Sequence, residues 1–300
     1  DEGINNLSDR AQESVGADFQ WTIRGNFLGY SSQVIAGGAY YRGESNFNSV
    51  LELAELDPIS RLTLGRGTGT FVDSEATSIN TKTESSSLYI TNTMDLSSTL
   101  ALTLSARGNY TNVVLHDRSG ARPELNGDHD FPRVNPSLGL TWQASDSHTL
   151  YTSYSESSRT PTPIELACNE GVFDLAVAFA IEAGEDPGDV DLECRLPNAF
   201  LADPPLDDVI AKSFELGSRG FIKDIAYSLG LFHTVNKDDI LFQTTGRSTG
   251  LFANVDKTRR AGIESSLQGR WRTFSWLAAY SYIDATFEDN FQALSPNHEF

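Results

Sequence analysis

Five histidines are scattered along the chain, and two of them sit among carboxylates. His116-Asp117 and Asp128-His129-Asp130 share one connection, where imidazole and carboxylate groups supply the donor types of a metal site. Their spacing imposes no coordination geometry. Solvated polar side chains account for them more simply, and no metal site is assigned. The acidic run from Glu185 to Glu193 offers the oxygen donors calcium takes but lacks the EF-hand spacing. Cys168 and Cys194 lie in one long loop. Two thiols so placed point to a disulfide in an oxidising compartment, against the alternative of two free thiols. Closing a loop of that size contributes ~3 kcal/mol in the chain-entropy account. There is no Gly-rich phosphate loop, no Gly-x-Ser-x-Gly and no His-Glu-x-x-His, so neither an enzyme nor a cofactor is expected.

Charge and hydropathy narrow the class. The formal net charge of −19 opposes nucleic-acid binding, which needs a basic surface. The acid concentrates between Glu170 and Asp208, opposed there only by Arg195. No run of about 18 apolar residues exists, so no transmembrane helix is expected. A membrane-spanning barrel strand shows lipid only every second residue and escapes that criterion. Val172–Ala183 is apolar with few breakers and is expected to form a short helix within its loop. The chain opens Asp1-Glu2-Gly3 and closes on Asn297-His298-Glu299-Phe300 in polar sequence. Both ends are expected to be cuts within a longer protein.

The elements that position these residues are strands. Five short links, at Gly29–Ser32, Asp95–Ser98, Ala144–Ser147, Ile222–Asp224 and Arg272–Thr273, alternate with five much longer connections. Between them lie segments at about 17–29, 31–42, 84–95, 98–111, 133–144, 147–156, 210–222, 224–235, 259–271 and 274–285. Most separate into an apolar and a polar set at period two. Phe19, Trp21, Ile23 and Phe27 oppose Gln20, Thr22, Arg24 and Asn26. Leu100, Leu102, Leu104 and Ala106 oppose Thr103, Ser105 and Arg107. Short turns at one end and long loops at the other fit an antiparallel up-and-down transmembrane β-barrel. The 156–209 connection is then a long acidic extracellular loop.

Aromatic residues recur at two levels on the apolar faces, as rings do at the two interfaces of a membrane. Trp142, Phe221, Trp271 and Phe274 flank short turns, with Trp276 close by, while Trp21, Tyr110, Tyr154 and Tyr282 lie toward the other ends. By parity Arg24, Arg107, Glu215 and Glu264 face the lumen. There they either meet an internal plug or pair with one another across strands.

Three stretches carry a family resemblance. Val134 to Trp142, Thr149 to Ser155 and then Ser158-Arg159-Thr160-Pro161-Thr162-Pro163-Ile164-Glu165-Leu166 resemble TonB-dependent outer-membrane receptors, which enter a long extracellular loop through an Arg-x-Pro-x-x-x-Glu-Leu element. Lys212 to Gly217 and Asn254 to Glu264 resemble later parts of the same template. The resemblance implies a wall of roughly twenty-two strands, of which this chain would supply ten. It also implies a plug domain and a TonB-contacting box, neither of which this sequence contains. The implied function is energy-coupled uptake of a scarce ligand, foremost a ferric siderophore, across the outer membrane of a Gram-negative bacterium. The implied ligand contacts lie at loop tips that include Tyr41, Arg42, His116, His129 and Arg159. The expected partners are outer-membrane lipid, the plug, TonB and an iron-siderophore. Two other readings stand beside it: a ten-stranded outer-membrane protease of omptin type, and a soluble β-sandwich that binds carbohydrate.

Overall fold

The computed structural model describes residues 2–63, 68–120, 125–166, 181, 184, 206–244 and 250–288. Both cysteines and the 185–193 acidic run lie outside them, as does nearly all of 172–183. The described chain forms one antiparallel sheet whose ten strands pair in sequence order. They are β1 (Glu2–Phe27), β2 (Tyr30–Glu55), β3 (Phe71–Asp95), β4 (Leu100–Asp117), β5 (Gly127–Ser145) and β6 (His148–Arg159), followed by β7 (Val209–Ile222), β8 (Ile225–Thr244), β9 (Gly250–Trp271) and β10 (Phe274–Phe287). A one-turn helix, α1 (Pro163–Leu166), follows β6.

A single up-and-down sheet overturns the sandwich reading, which needs two facing sheets. A barrel of ten strands would pair β1 with β10, and no such ladder occurs among the described residues.

The short links fall close to their expected places, with small shifts at all but Arg272–Thr273. Leu28 and Gly29 alone join β1 to β2, so Ser32 is already in strand, and the second link is 96–99. Both Leu28 (φ 53°) and Gly29 (φ 86°) are left-handed, the geometry of a type I′ hairpin turn.

Several strands run much further than alternation indicates. β2 continues thirteen residues past Arg42 to Glu55, and β3 begins at Phe71 instead of 84. The parts of 43–83, 112–132 and 236–258 expected as loops are therefore partly strand. The reason is physical. Segments such as Glu44-Ser45-Asn46 stand above the apolar belt, where both faces carry polar residues. A strand there has no apolar side to display, so its period disappears from the sequence.

Register shows the two faces directly. One row across β1 to β5 reads Ala17, Tyr40, Ser86, Tyr110 and Pro132. The next row on the same face reads Phe19, Gly38, Leu88, Gly108 and Val134. This face is apolar from there to the short links, with Phe19, Trp21, Leu88 and Val134 all more than half exposed. Trp142, Trp271 and Tyr282 are exposed on it, and Trp276 lies on it over Gly269. Phe221 is a correction: it pairs with Ala226 and lies on the opposite face.

A repeated contact marks where the apolar face ends. Tyr40 donates to Glu84 at 3.0 Å, Tyr110 to Asp130 at 2.5 Å and Tyr154 to Glu156 at 2.6 Å. Each ring lies over apolar neighbours while its hydroxyl reaches a carboxylate at the rim. The ten-residue advance from Ala17 to Phe27 rises about 33 Å along the strand. At a tilt of about 45° that spans roughly 25 Å, the height of a barrel's apolar band.

Candidate functional site: the polar groove beneath the segment after β6

The chain leaves β6 at Arg159 and turns over the polar face of the sheet. Local chemistry fixes that turn. Thr162 caps α1, Pro163 occupies its first position, where a missing N–H costs nothing, and Glu165 stands at the third. Glu165 Oε2 accepts from Thr162 N at 2.7 Å and Thr162 Oγ1 at 2.9 Å, while Glu165 N approaches Thr162 Oγ1 at 3.4 Å. This is a reciprocal capping box. Arg159 Nη1 adds a charged hydrogen bond to the same oxygen at 2.8 Å. Burial alone would raise the Glu165 carboxyl, but the bonds from Arg159 and Thr162 outweigh it and hold it below the usual carboxylate range.

Packing completes the anchor. Leu166, 1% exposed, enters an apolar cluster with Ile79, Val113, Leu115, Leu125, Leu206, Val209 and Ile240. Phe47, Phe131 and Phe252 close its edges. These side chains come from β2–β5 and β7–β9, from α1 and from the segments just before β5 and β7, all near the long-loop end, and they form the buried apolar core of the described residues. The core therefore lies between the sheet and the segments folded against its polar face.

Beneath Thr160–Pro163 the sheet presents two adjoining grooves of about 400 and 360 Å³. Tyr41, Ser85, Thr111 and Thr160 line both, so they form one continuous polar surface. Arg107 stands at one end and Arg10 at the other. Arg107 donates to Ser87 Oγ at 2.7 Å and Asn109 Oδ1 at 2.8 Å, and lies 5.8 Å from the Tyr89 ring centre. Arg10 donates to Gln12 Oε1 at 2.8 Å and Ser45 Oγ at 3.2 Å. Among the described residues neither guanidinium is paired with a carboxylate. Two cations held by neutral partners, with a phenol and several hydroxyls between them, suit an anionic ligand rich in oxygen.

The sequence-derived residues distribute unevenly around this groove. Tyr41 and Arg107 line it. Arg42 is next to Tyr41 in sequence and therefore on the other face, where it meets Glu44 at 3.4 Å and Glu84 at 3.8 Å. His116 also takes that parity, with Nδ1 2.8 Å from Asn126 Oδ1. His129 is buried opposite Val113. Arg159 holds Glu165. Arg24 shares the groove's face at the short-link end and donates to Gln33 at 3.1 Å. Glu264 lines a separate hollow with Tyr151 and Gly230, and Glu215 stands exposed on the same face. These four charged residues do not pair with one another. Arg10 and Gln12 escaped the sequence reading because their strand extension carries no alternation, whereas Thr111 lies at the end of an expected strand and was not singled out.

A family model described as TonB dependent receptor-like, beta-barrel, matches residues 2–298. Among solved structures the chain is similar to the alcaligin outer-membrane receptor FauA from Bordetella pertussis, with a TM-score of 0.60 at 13% identity over 96% of this chain and 42% of that one. It is similar to the ferric citrate transporter FecA in its unliganded form, with a TM-score of 0.66 at 15% identity over 96% of this chain and 38% of that one. It is also similar to the copper transporter OprC, with a TM-score of 0.65 at 13% identity over 96% of this chain and 40% of that one. At such identities the likeness is one of fold. The chain spans about two fifths of the length of each of these structures.

Proposed function

The chain belongs to the TonB-dependent receptor family through its β-barrel domain, and from that premise we propose that it is ten strands of the wall of an outer-membrane receptor that imports a ferric siderophore. The apolar face meets lipid in the outer membrane of a Gram-negative bacterium. The polar face lines the lumen and meets a plug. Coupling to TonB runs through a region outside this chain.

One observation carries the ligand reading. The groove beneath Thr160–Pro163 places Tyr41 between Arg10 and Arg107, with hydroxyls from Ser85 and Thr111. A ferric chelate carrying carboxylate, catecholate or hydroxamate oxygens presents negative charge and acceptor atoms together. Guanidinium groups without carboxylate partners favour that chemistry over a neutral glycan. The names of the similar structures, an alcaligin receptor, a ferric citrate transporter and a copper transporter, are compatible with a metal-bearing ligand.

Cells carrying the complete receptor, grown under iron limitation, test the reading. Uptake of radioactive iron as siderophore complexes should depend on the receptor gene and collapse with a protonophore. Changing Arg107→Ala and Tyr41→Ala together should weaken ligand binding at least tenfold while leaving receptor abundance in the outer membrane unchanged. Undiminished uptake in that double variant would remove the groove from the ligand path.

A further inference from the structure

Charge is unevenly divided among the short links. The β1–β2 and β3–β4 links carry none, and the β5–β6 link carries Asp146. The last two carry Lys223 and Arg272, with Arg270 one residue inside the end of β9 and Asp224 as their one acid. All three cations are exposed, and among the described residues none is paired with a carboxylate. The long-loop end is different: Arg42, Lys82, Arg133 and Arg259 each meet an acid there. On a chain of net charge −19, an unneutralised basic patch is a place that electrostatics leaves open to an anion.

The two basic links are built alike. Lys223 and Arg272 each take the first link position, and each is left-handed, at φ 57° and 56°. Hairpin links favour glycine or asparagine at such a position. A long cation there costs backbone energy, and strain of this kind points to a role for the side chain. Register sets the links side by side. The β8–β9 ladder ends at Ala226 and Gln268, with Lys223 three residues past one end and Arg272 four past the other. Two strand spacings, roughly 10 Å, separate the links. Arg270 Nε donates to Arg272 O at 3.1 Å, and the Arg272 guanidinium lies 5.5 Å from the Trp271 ring centre. Beside the cations the apolar face of the sheet exposes Ile222, Ile225, Trp271 and Phe274.

We propose that Lys223 and Arg272 hold the headgroup phosphate of an anionic phospholipid in the inner leaflet of the outer membrane, with its acyl chains against Ile222, Ile225 and Phe274. Ammonium and guanidinium groups supply the donors that phosphate oxygens accept. Trp271 stands at the level where indole rings meet a membrane interface. A zwitterionic phospholipid would bring its own ammonium to this basic patch. A soluble acidic partner would leave the four apolar side chains unused. The inference rests on the outer-membrane reading given above.

Lys223→Gly combined with Arg272→Gly tests it without threatening the fold, because glycine suits both left-handed positions. The complete receptor and its variant are stripped of lipid in non-ionic detergent and titrated with dioleoylphosphatidylglycerol or dioleoylphosphatidylethanolamine, and bound lipids are counted by native mass spectrometry. The wild type should retain phosphatidylglycerol about tenfold better than phosphatidylethanolamine, the scale expected of two cations at an anionic surface. The double variant should lose that preference. A second pair, Lys223→Gln with Arg272→Gln, removes the charge at similar length and should lose it too. Equal retention of both lipids by the wild type overturns the proposal, as does a preference that survives in either pair. Glycerol 3-phosphate in excess separates the sources of phosphate: displacement of the lipid would assign the patch to a soluble anion and overturn the lipid site. Insertion into preformed vesicles, scored on the same samples, separates the two readings. A receptor that does not insert defeats the outer-membrane reading, and one that inserts without lipid preference defeats only the phospholipid site.

Discussion

Arg159 and Glu165 clasp one another at 2.8 Å across the turn by which the chain leaves β6 and crosses the polar face. Glu165 is the hub, since its Oε2 also accepts both Thr162 donors. Changing Glu165→Ala should free the turn and uncover Leu166. The cost is about 1 kcal/mol, at the low end for a charged hydrogen bond because Arg159 is nearly half exposed. Hydrogen exchange should show roughly fivefold faster exchange at the Leu166 amide, whose N–H bonds Thr162 O at 3.0 Å, with strand amides of β4 unchanged. Unchanged exchange at Leu166 would mean that apolar packing alone holds the segment.

The same carboxylate sets a pH window. Glu165 titrates below its ordinary value, so its contribution is fully present above the unfolded pKa and is lost as pH falls through the lowered folded one. Exchange at Leu166 should therefore stay flat from neutral pH down to the ordinary glutamate pKa, after correction for intrinsic rates. It should rise as pH falls below that value and level off once the lowered folded pKa is passed. Glu165→Gln should abolish that acid dependence.

The legible part of this chain is the part that has an inside and an outside. Phe19 to Phe27 and Leu100 to Ala106 alternate because lipid-facing and lumen-facing positions differ chemically. Past Tyr40 the outward face turns polar and the contrast between faces stops, so alternation alone ends β2 at Arg42 when it continues to Glu55. The sequence groups Tyr41 and Arg42 as ligand contacts, yet neighbours on a strand face opposite ways, and only Tyr41 reaches the groove. The Arg159–Leu166 element is visible as a motif, but its reciprocal cap depends on Glu165 folding back onto Thr162. The tyrosine–carboxylate rim was hidden for another reason: Tyr40 and Glu84 are 44 residues apart, and only the register joins them.

Two tyrosines on the polar face lie flat over glycines of adjoining strands. A Cβ on Gly217 would stand 2.3 Å from the Tyr151 ring, and one on Gly37 would stand 2.5 Å from both Tyr89 Oη and the Phe19 carbonyl. The obstacles differ in kind. Gly217→Ala should cost about 1–3 kcal/mol by overpacking, and Tyr151→Ala should recover most of it, since only a side chain is in the way. Gly37→Ala should not be recovered by Tyr89→Ala, because the backbone carbonyl remains. Urea unfolding of the complete receptor in lipid vesicles reads both double-mutant cycles, and equal rescue at the two sites would contradict this geometry.

The turn between β1 and β2 offers a gain in stability. Leu28 sits at φ 53°, where an L-residue with a bulky side chain is strained, and its side chain is 78% exposed, so little packing offsets the strain. Type I′ turns take Asn-Gly in preference because asparagine tolerates the left-handed region at low cost. Gly29 already occupies the second position. Leu28→Asn should therefore stabilise the β1–β2 hairpin by about 1 kcal/mol, whereas Gly29→Ala, at φ 86°, should destabilise it by a similar amount. Unfolding midpoints in urea, compared at constant slope, check both signs. A destabilised Leu28→Asn would show that Leu28 contributes more by entering the inner lipid interface than it costs in backbone strain.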